Sequence, residues 1–565
     1  MASHTASQKY LSTRGGSYGL SFEEVVLKGL ANDGGLFIPE SIPELPEDWL
    51  TKWRDHSFED LAYEIFSLYI SPAEIPSADL KELVKRSYST FRASEKTPVV
   101  TLDEQHHLYL LELFHGPTFA FKDVALQFLG NLFEYFLVRR NEGKTGKDRE
   151  HLTVIGATSG DTGSAAIYGL RGKKDVSVFI MHPQGKVSPI QEAQMTTVLD
   201  PNVHNLAVTG TFDDCQDIVK ALFADPSINK THRLAAVNSI NWARILAQIT
   251  YYFSSYFSLL RSHKHSATPP NIHFVVPTGN FGDILAGYFA KRMGLPVAKL
   301  VIATNENDIL HRWWQTGHYE KHPVHGKQAQ GGIKADGVKA HESGVKETLS
   351  PAMDILVSSN FERLLYFLAL QVYGCNRTIE TKRLVAGAKV KEWHDELKKE
   401  GGFKVCQNLL DHAKHDFDAY RVSDDDTIKT IQQVYDWGSK PISQPPTNGA
   451  VDKTATTGTR GANGAYILDP HSAIGVAAAL RSIHENPAPT RQHVALATAH
   501  PAKFSHAVDT ALRGKEGFDF ETVLPVQFEG MLEKEKRVIT VKPGEGWEAV
   551  REIVIQEVEK ERQHL

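Results

Sequence analysis

The sequence predicts an α/β protein built on open, mostly parallel sheet structure covered by helices, and three observations carry that prediction. From about Thr101 onward, short β-rich runs alternate with helical patterns. A parallel sheet with helical crossovers requires this order. Two glycine-rich turns, Gly156–Gly163 and Pro277–Asp283, each follow a strand and precede a helix. In open sheets of this kind, ligands bind where strands end in such loops. Finally, 565 residues with 41% hydrophobic and 23% charged side chains make a soluble globular composition. That length suits about two to four domains with a large core.

Taken in order, the first hundred residues read as a small helical domain. Helices are expected at Phe22–Leu30, Phe58–Tyr69 and Ala78–Tyr88, separated by proline turns at Pro39 and Pro43. Leu108–Leu113 is the first strand of the alternating region. The helix after it, Asp123–Leu137, confines Asp123, Gln127, Asn131 and Glu134 to one narrow stripe, so it is buried nearly all round. Strands follow at Leu152–Ile155, Val176–Met181, Val203–Val208, Leu234–Val237, Ile272–Val276 and Lys299–Ala303. Thr211 and Asp214 give a capping-box signature that starts a helix reaching Phe223. Lys321–Gly344 and Gly438–Gly464 lack apolar periodicity and are expected as surface insertions. His318, His322 and His325 are read as solvent-exposed, and no metal site is expected. The expected divisions are 1–100, 101–265 and 266–565, the last with both insertions.

Several function classes are disfavoured. A net charge of −6 argues against a general nucleic-acid or anionic-membrane surface. Three widely spaced cysteines form no disulfide framework or zinc motif and suit a reducing compartment. Met1–Tyr10 has no apolar signal region, and Arg244, Gln248 and several serines interrupt the most apolar long segment, Asn241–Leu260. A cytoplasmic protein is expected.

The chemistry centres on Lys122, within His-Gly-Pro-Thr-Phe-Ala-Phe-Lys-Asp at 115–123. A lysine at the start of a buried helix, against aromatic rings, has its ammonium form disfavoured by burial and by the helix dipole. A neutral amine is a nucleophile able to form a Schiff base. Taken alone, the segment fits better a lysine whose head reaches water or pairs with Asp123, since buried lysines are rare. The loops add to it. Gly156-Ala-Thr-Ser-Gly-Asp-Thr-Gly163 and Pro277-Thr-Gly-Asn-Phe-Gly-Asp283 each offer helix-terminal N–H groups to an anion, and Ala497-Thr-Ala-His500 adds a hydroxyl. Neither glycine-rich loop is a dinucleotide fingerprint or a P-loop. Together, a poised lysine, two anion cradles and a hydroxyl loop supply what pyridoxal 5′-phosphate needs.

At these segments the chain resembles threonine synthases of the fungal type. They belong to the tryptophan-synthase-β-like, fold type II pyridoxal-phosphate enzymes. The likeness extends to Tyr10–Gly15, Ala31–Leu36, Val237–Arg244, Ala303–Asp308 and Ala499–Phe504, and so to nearly the whole chain outside the insertions. The resemblance implies two open, mostly parallel sheets covered by helices, plus a small helical N-terminal domain. It also implies conversion of O-phospho-L-homoserine and water to L-threonine and phosphate, the last step of threonine biosynthesis, by a monomer. Lys122 would carry the cofactor and move protons. Gly279, Asn280, Phe281 and Asp283 would hold the cofactor phosphate mainly through backbone N–H groups, with the Asp283 carboxylate capping its helix. Thr498 would meet the pyridine nitrogen. Thr158, Ser159, Asp161 and Thr162 would grip the substrate carboxylate, Asp161 facing the substrate ammonium or its own helix start. Lys186, Asn238 and Arg244 are candidates for the substrate phosphate, a structural ion pair being the alternative for Arg244. A serine/threonine dehydratase, a phospho-lyase yielding a 2-keto acid, and a non-catalytic relative are the competing readings.

Overall fold

The computed structural model describes residues 8–262, 270–322, 344–437, 459–461, 463–488, 490–542 and 544–563. Most of both expected insertions, 323–343 and 438–458, lies outside the described residues, and His325 with them.

The N-terminal region contains helices Phe22–Lys28, Phe58–Tyr69 and Ser77–Tyr88, close to expectation. It also holds an antiparallel ribbon of strands β1 (Tyr10–Ser12) and β2 (Phe37–Pro39). At three residues each, these strands are too short to show a period in the sequence.

The remaining strands are β3 (Val99–Asp103), β4 (Leu108–Glu112), β5 (Leu152–Ala157), β6 (Val176–Pro183), β7 (Val203–Val208), β8 (Leu234–Ala236) and β9 (Asn271–Pro277). After them come β10 (Val297–Thr304), β11 (His318–Glu320), β12 (Gly402–Lys404), β13 (Phe417–Arg421), β14 (Arg491–Ala497) and β15 (Ile539–Val541). Two open sheets result. A six-stranded sheet has the order β13-β10-β9-β14-β4-β3, parallel except at β3. A five-stranded sheet, β15-β7-β6-β5-β8, is parallel throughout. β6 and β7 are buried at every position, as sheets covered on both faces demand.

The sheets do not follow an expected boundary at 265. β3 and β4 join a sheet whose other strands all lie beyond 270, while β15 returns to the earlier sheet. Backbone pairing links segments hundreds of residues apart, which no local composition shift records.

The helix Lys122–Arg140 packs against helices Asp161–Leu170 and Trp242–Ser262. Its polar stripe is largely buried: Asn131 Nδ2 donates to Ser87 Oγ at 3.0 Å and Asn131 Oδ1 accepts from Lys173 Nζ at 2.6 Å, while Gln127 Nε2 is buried without a partner and Glu134 is half-buried. Against Asp161–Leu170 there is no room for side chains, since a Cβ on Gly130 would lie 1.9 Å from the Gly169 carbonyl oxygen. Thr211 and Asp214 form the expected capping box.

Candidate active site

Lys122 is the first residue of its helix and is buried. Distant backbone fixes the approach to it. Phe121 N–H donates to Thr498 O at 2.8 Å, and His500 N–H donates to Phe119 O at 3.1 Å. Asp123 closes the preceding turn, accepting from Thr118 N–H and from Thr118 Oγ1 at 2.7 Å each. Asp123 is therefore committed to that turn and not to the lysine. No hydrogen bond to Lys122 Nζ occurs among the described residues, and the amine sits 5.8 Å from the Phe121 ring centroid. Burial lowers its pKa to about 8, with Asp161 opposing and the Lys503 and Arg244 charges adding to the effect. At pH 7 roughly a tenth of such an amine is neutral, the form that attacks carbon and abstracts protons.

The first cradle opens the helix Asp161–Leu170. Gly160 has φ of 152°, and a Cβ there would meet the Gln191 amide at 2.6 Å, so glycine is required. Thr158 Oγ1 accepts from Gly160 N–H at 3.0 Å and Gly163 N–H at 2.9 Å. Its hydroxyl thus shapes the loop and is not free for substrate. Ser159 is exposed and Thr162 half-buried. The N–H groups of Ser159, Asp161 and Thr162 donate to nothing among the described residues. The Asp161 carboxylate neither caps the helix nor stands open to a substrate ammonium: it accepts from Lys503 Nζ at 2.7 Å and Gln191 Nε2 at 2.9 Å. Burial alone would raise its pKa, but the Lys503 and Lys122 charges hold it well below the usual carboxylate range.

The second cradle follows β9. Phe281 takes a left-handed φ of 61° and leads into the helix Gly282–Met293. The N–H groups of Gly279, Asn280 and Phe281 have no partner among the described residues. The loop's carbonyls are pinned, with Ser358 Oγ donating to Gly279 O at 2.6 Å and Asn360 Nδ2 donating to Asn280 O at 2.9 Å. A Cβ on Gly279 would lie 3.2 Å from Ala352 O and Met353 Cα. Asp283 does not cap its helix. Its Oδ1 accepts from the Tyr251 and Tyr252 hydroxyls, and its Oδ2 is buried without a partner. Burial raises its pKa to about 6 against those two hydrogen bonds. The tyrosines lie on the neighbouring helix and reach the carboxylate first.

Arg244, near the start of the helix Trp242–Ser262, is buried and pairs with no carboxylate among the described residues. Its Nη1 donates to Asn238 O at 2.6 Å, while its Nε is buried without a partner. Burial lowers its pKa to about 10, with Tyr251 opposing. This segment adjoins the second cradle: a Cβ on Gly282 would lie 3.5 Å from Ile245 Cδ1 and 3.8 Å from Ser239 O. Asn238 Oδ1 accepts from Ile240 N–H at 3.1 Å. Lys186 is exposed in the turn after β6, where its charge acts on Asp214, so the fold does not gather it with the buried cations.

Comparison with known proteins bears on this arrangement. Residues 9–88 match the family Threonine synthase N terminus, 91–354 the family Pyridoxal-phosphate dependent enzyme, and 472–554 the family Threonine synthase, C-terminal. The threonine synthase of Schizosaccharomyces pombe is 54% identical over 534 residues, which cover 94% of each chain. This chain belongs to the threonine synthase family. The crystal structure of threonine synthase from yeast matches with a TM-score of 0.85 and 49% identity, covering 98% of this chain and 100% of that one. The PLP-bound threonine synthase from Brucella melitensis matches with a TM-score of 0.78 and 38% identity, covering 98% and 99%.

The threonine synthase family has the fold type II architecture and uses pyridoxal 5′-phosphate, and the residues present fit that cofactor. Lys122 offers an unpaired amine, and the second cradle offers three unpaired N–H groups at a helix start. Thr498 presents a hydroxyl with no partner among the described residues, while its N–H donates to Ser472 Oγ at 3.1 Å. Three features of this threonine synthase site were not legible beforehand. Ser358 and Asn360 pin the second cradle from far along the chain. Tyr251 and Tyr252 occupy Asp283. Lys503 lies within the recognised Ala499–Phe504 segment, yet nothing in its neighbours marks it as buried.

Proposed function

We propose that the chain is a threonine synthase that converts O-phospho-L-homoserine and water to L-threonine and phosphate. One observation carries the proposal: the buried, hydrogen-bond-free Lys122 amine feels the charges of Asp161 in the first loop and of buried Arg244, whose Nε lacks a partner and whose segment adjoins the second loop of unpartnered N–H groups. These are places for three anions: a cofactor phosphate, a substrate carboxylate and a substrate phosphate. A dehydratase of serine or threonine has no use for the third.

In this reading the N–H groups of Gly279, Asn280 and Phe281 and of the first turn at Asp283 hold the cofactor phosphate, and Thr498 Oγ1 meets the pyridine nitrogen. The N–H groups of Ser159, Asp161 and Thr162 hold the substrate carboxylate. Arg244, held by Asn238, takes the substrate phosphate, for which guanidinium geometry is suited. Lys186 is left out. When bound, the cofactor supplies an electron sink for the C–H bonds broken at Cα and Cβ. Lys122 takes the Cα proton, gives it up again before it takes the Cβ proton, and returns protons to carbon as phosphate leaves and water adds at Cβ; a pKa near 8 suits both directions. Arg244 steadies the departing phosphate by holding it as a dianion.

Equimolar phosphate and threonine from O-phospho-L-homoserine would support the proposal. A higher kcat/KM for serine or threonine, or a 2-keto acid as product, would sink it. Arg244→Met is expected to raise KM for the phosphorylated substrate by about 10- to 100-fold, the worth of hydrogen bonds to a charged group. The cofactor should still bind, with the pH midpoint of its absorption band moving up as the Arg244 charge is lost.

The proposal includes a monomer in the cytoplasm acting on small molecules, without nucleic-acid or membrane partners. No helix among the described residues is long and apolar enough to cross a membrane. Sedimentation of the holoenzyme tests the monomer.

A further inference from the structure

We propose that Lys503 is a positioning residue for this reaction: it clasps the substrate-carboxylate loop to the Lys122 loop and cancels the Asp161 charge that would otherwise repel the substrate's carboxylate. The inference rests on the roles proposed above for Lys122 and for the loop at 159–162.

Lys503 has no exposed side-chain surface, and its ammonium makes two contacts: Asp161 Oδ1 at 2.7 Å and Thr118 O at 2.8 Å. Its partners belong to different sheets. Lys503 lies in the turn Pro501–Phe504 after β14, and Thr118 lies in the loop after β4, so both hang from the six-stranded sheet. Asp161 opens the helix after β5, in the five-stranded sheet. The helix Pro189–Thr196 braces both ends, with Gln191 Nε2 donating to Asp161 Oδ1 at 2.9 Å and Gln194 Nε2 donating to Thr118 O at 3.2 Å. One buried ammonium thus ties the two halves of the site at their common edge.

The charge matters as much as the tie. Asp161 stands among the N–H groups that would receive a carboxylate, and a lone carboxylate there would repel the ligand. Paired with Lys503, Asp161 presents little net charge and the N–H groups remain attractive. The same pair acts on Lys122 in opposite senses. Asp161 favours the Lys122 cation, Lys503 and Arg244 oppose it, and Asp123 favours it more weakly. His471 adds a further positive influence on Asp161, and Arg92 acts on Asp123.

The pH titration of the bound cofactor's absorption band in the holoenzyme reads this field at the nitrogen of Lys122. Lys503→Met is expected to move the midpoint up by about one to three pH units and to raise KM for the substrate. Asp161→Asn is expected to move the midpoint down. The double variant, carrying neither charge, is expected to return toward the wild-type midpoint. A buried ion pair that only braces the fold would lower stability in both single variants and shift neither midpoint. Unmoved midpoints, shifts of the same sign, or a double variant no closer to wild type than Lys503→Met would overturn the inference. If Lys503→Met does not hold cofactor, Asp161→Asn alone decides: a downward shift supports the inference, and any other result overturns it. A band that survives unaltered in Lys122→Ala would instead defeat the role of Lys122 on which the inference rests.

Discussion

Lys122→Ala is expected to reduce turnover by at least about 10⁴-fold, since it removes both the covalent attachment and the proton carrier. The cofactor absorption band should vanish or lose its pH response, and the far-UV circular dichroism should stay that of the wild type. Lys122→Arg should be equally inactive, because a guanidinium stays charged and cannot take its place as a nucleophile. The same residue gives a stability signature without cofactor. Its amine ionises near 8 in the fold against an ordinary 10.5, so the folded chain binds fewer protons than the unfolded chain between those values. The burial penalty is full below pH 8, roughly 3 kcal/mol, and fades as the pH rises to about 10.5. The apoenzyme should therefore gain stability relative to Lys122→Ala across that window. Urea unfolding of both proteins at pH 7 and pH 10 checks the sign, and a gap that widens against wild type at high pH would refute it.

Gly130→Ala is expected to cost about 3 kcal/mol or more, at the upper end of overpacking effects. The added carbon would lie 1.9 Å from the Gly169 carbonyl oxygen, and no rotamer can relieve a clash between two backbones. The helices must part. Lys122 begins one of them and Asp161 begins the other, each about 12 Å upstream of the contact, so the parting reaches the site. A lowered denaturation midpoint together with weaker binding of the substrate is the expected pair of results. An unchanged midpoint would show that the two helices separate freely.

What was legible in the sequence was what short-range pattern encodes. β7 falls at the expected strand Val203–Val208, and Thr211 caps the next helix with Asp214. The nearly all-apolar stretch after Lys122 is a buried helix, although it starts at Lys122 itself and runs to Arg140. Both glycine-rich loops end at helix starts; glycine supplies the unusual backbone at Gly160 in the first, whereas Phe281 takes the left-handed conformation in the second. The rest depends on pairings across the chain. Asp283 looked like a cap because a carboxylate in a first helical turn is often one, but the Tyr251 and Tyr252 hydroxyls claim it. Asp161 looked free because Lys503 lies far along the chain. Thr158 looked like a ligand, yet its hydroxyl is consumed by the loop's own N–H groups. Each of these side chains had the right chemistry in the sequence and a partner that only folding supplies.

The central position of β14 bears on how the chain is made. This strand lies between β4 and β9, yet it is synthesised after every other strand of the sheet. Until it emerges from the ribosome, β3 and β4 have no edge to join, and the turn before Lys122 lacks the Thr498 carbonyl and the Lys503 ammonium that fix it. At about 5–20 residues per second, this wait lasts tens of seconds. Throughout it the apolar helix that begins at Lys122 lacks part of its cover. A message truncated before β14 therefore yields no weakened enzyme but a nascent chain with two open sheet edges, a substrate for chaperones and proteases.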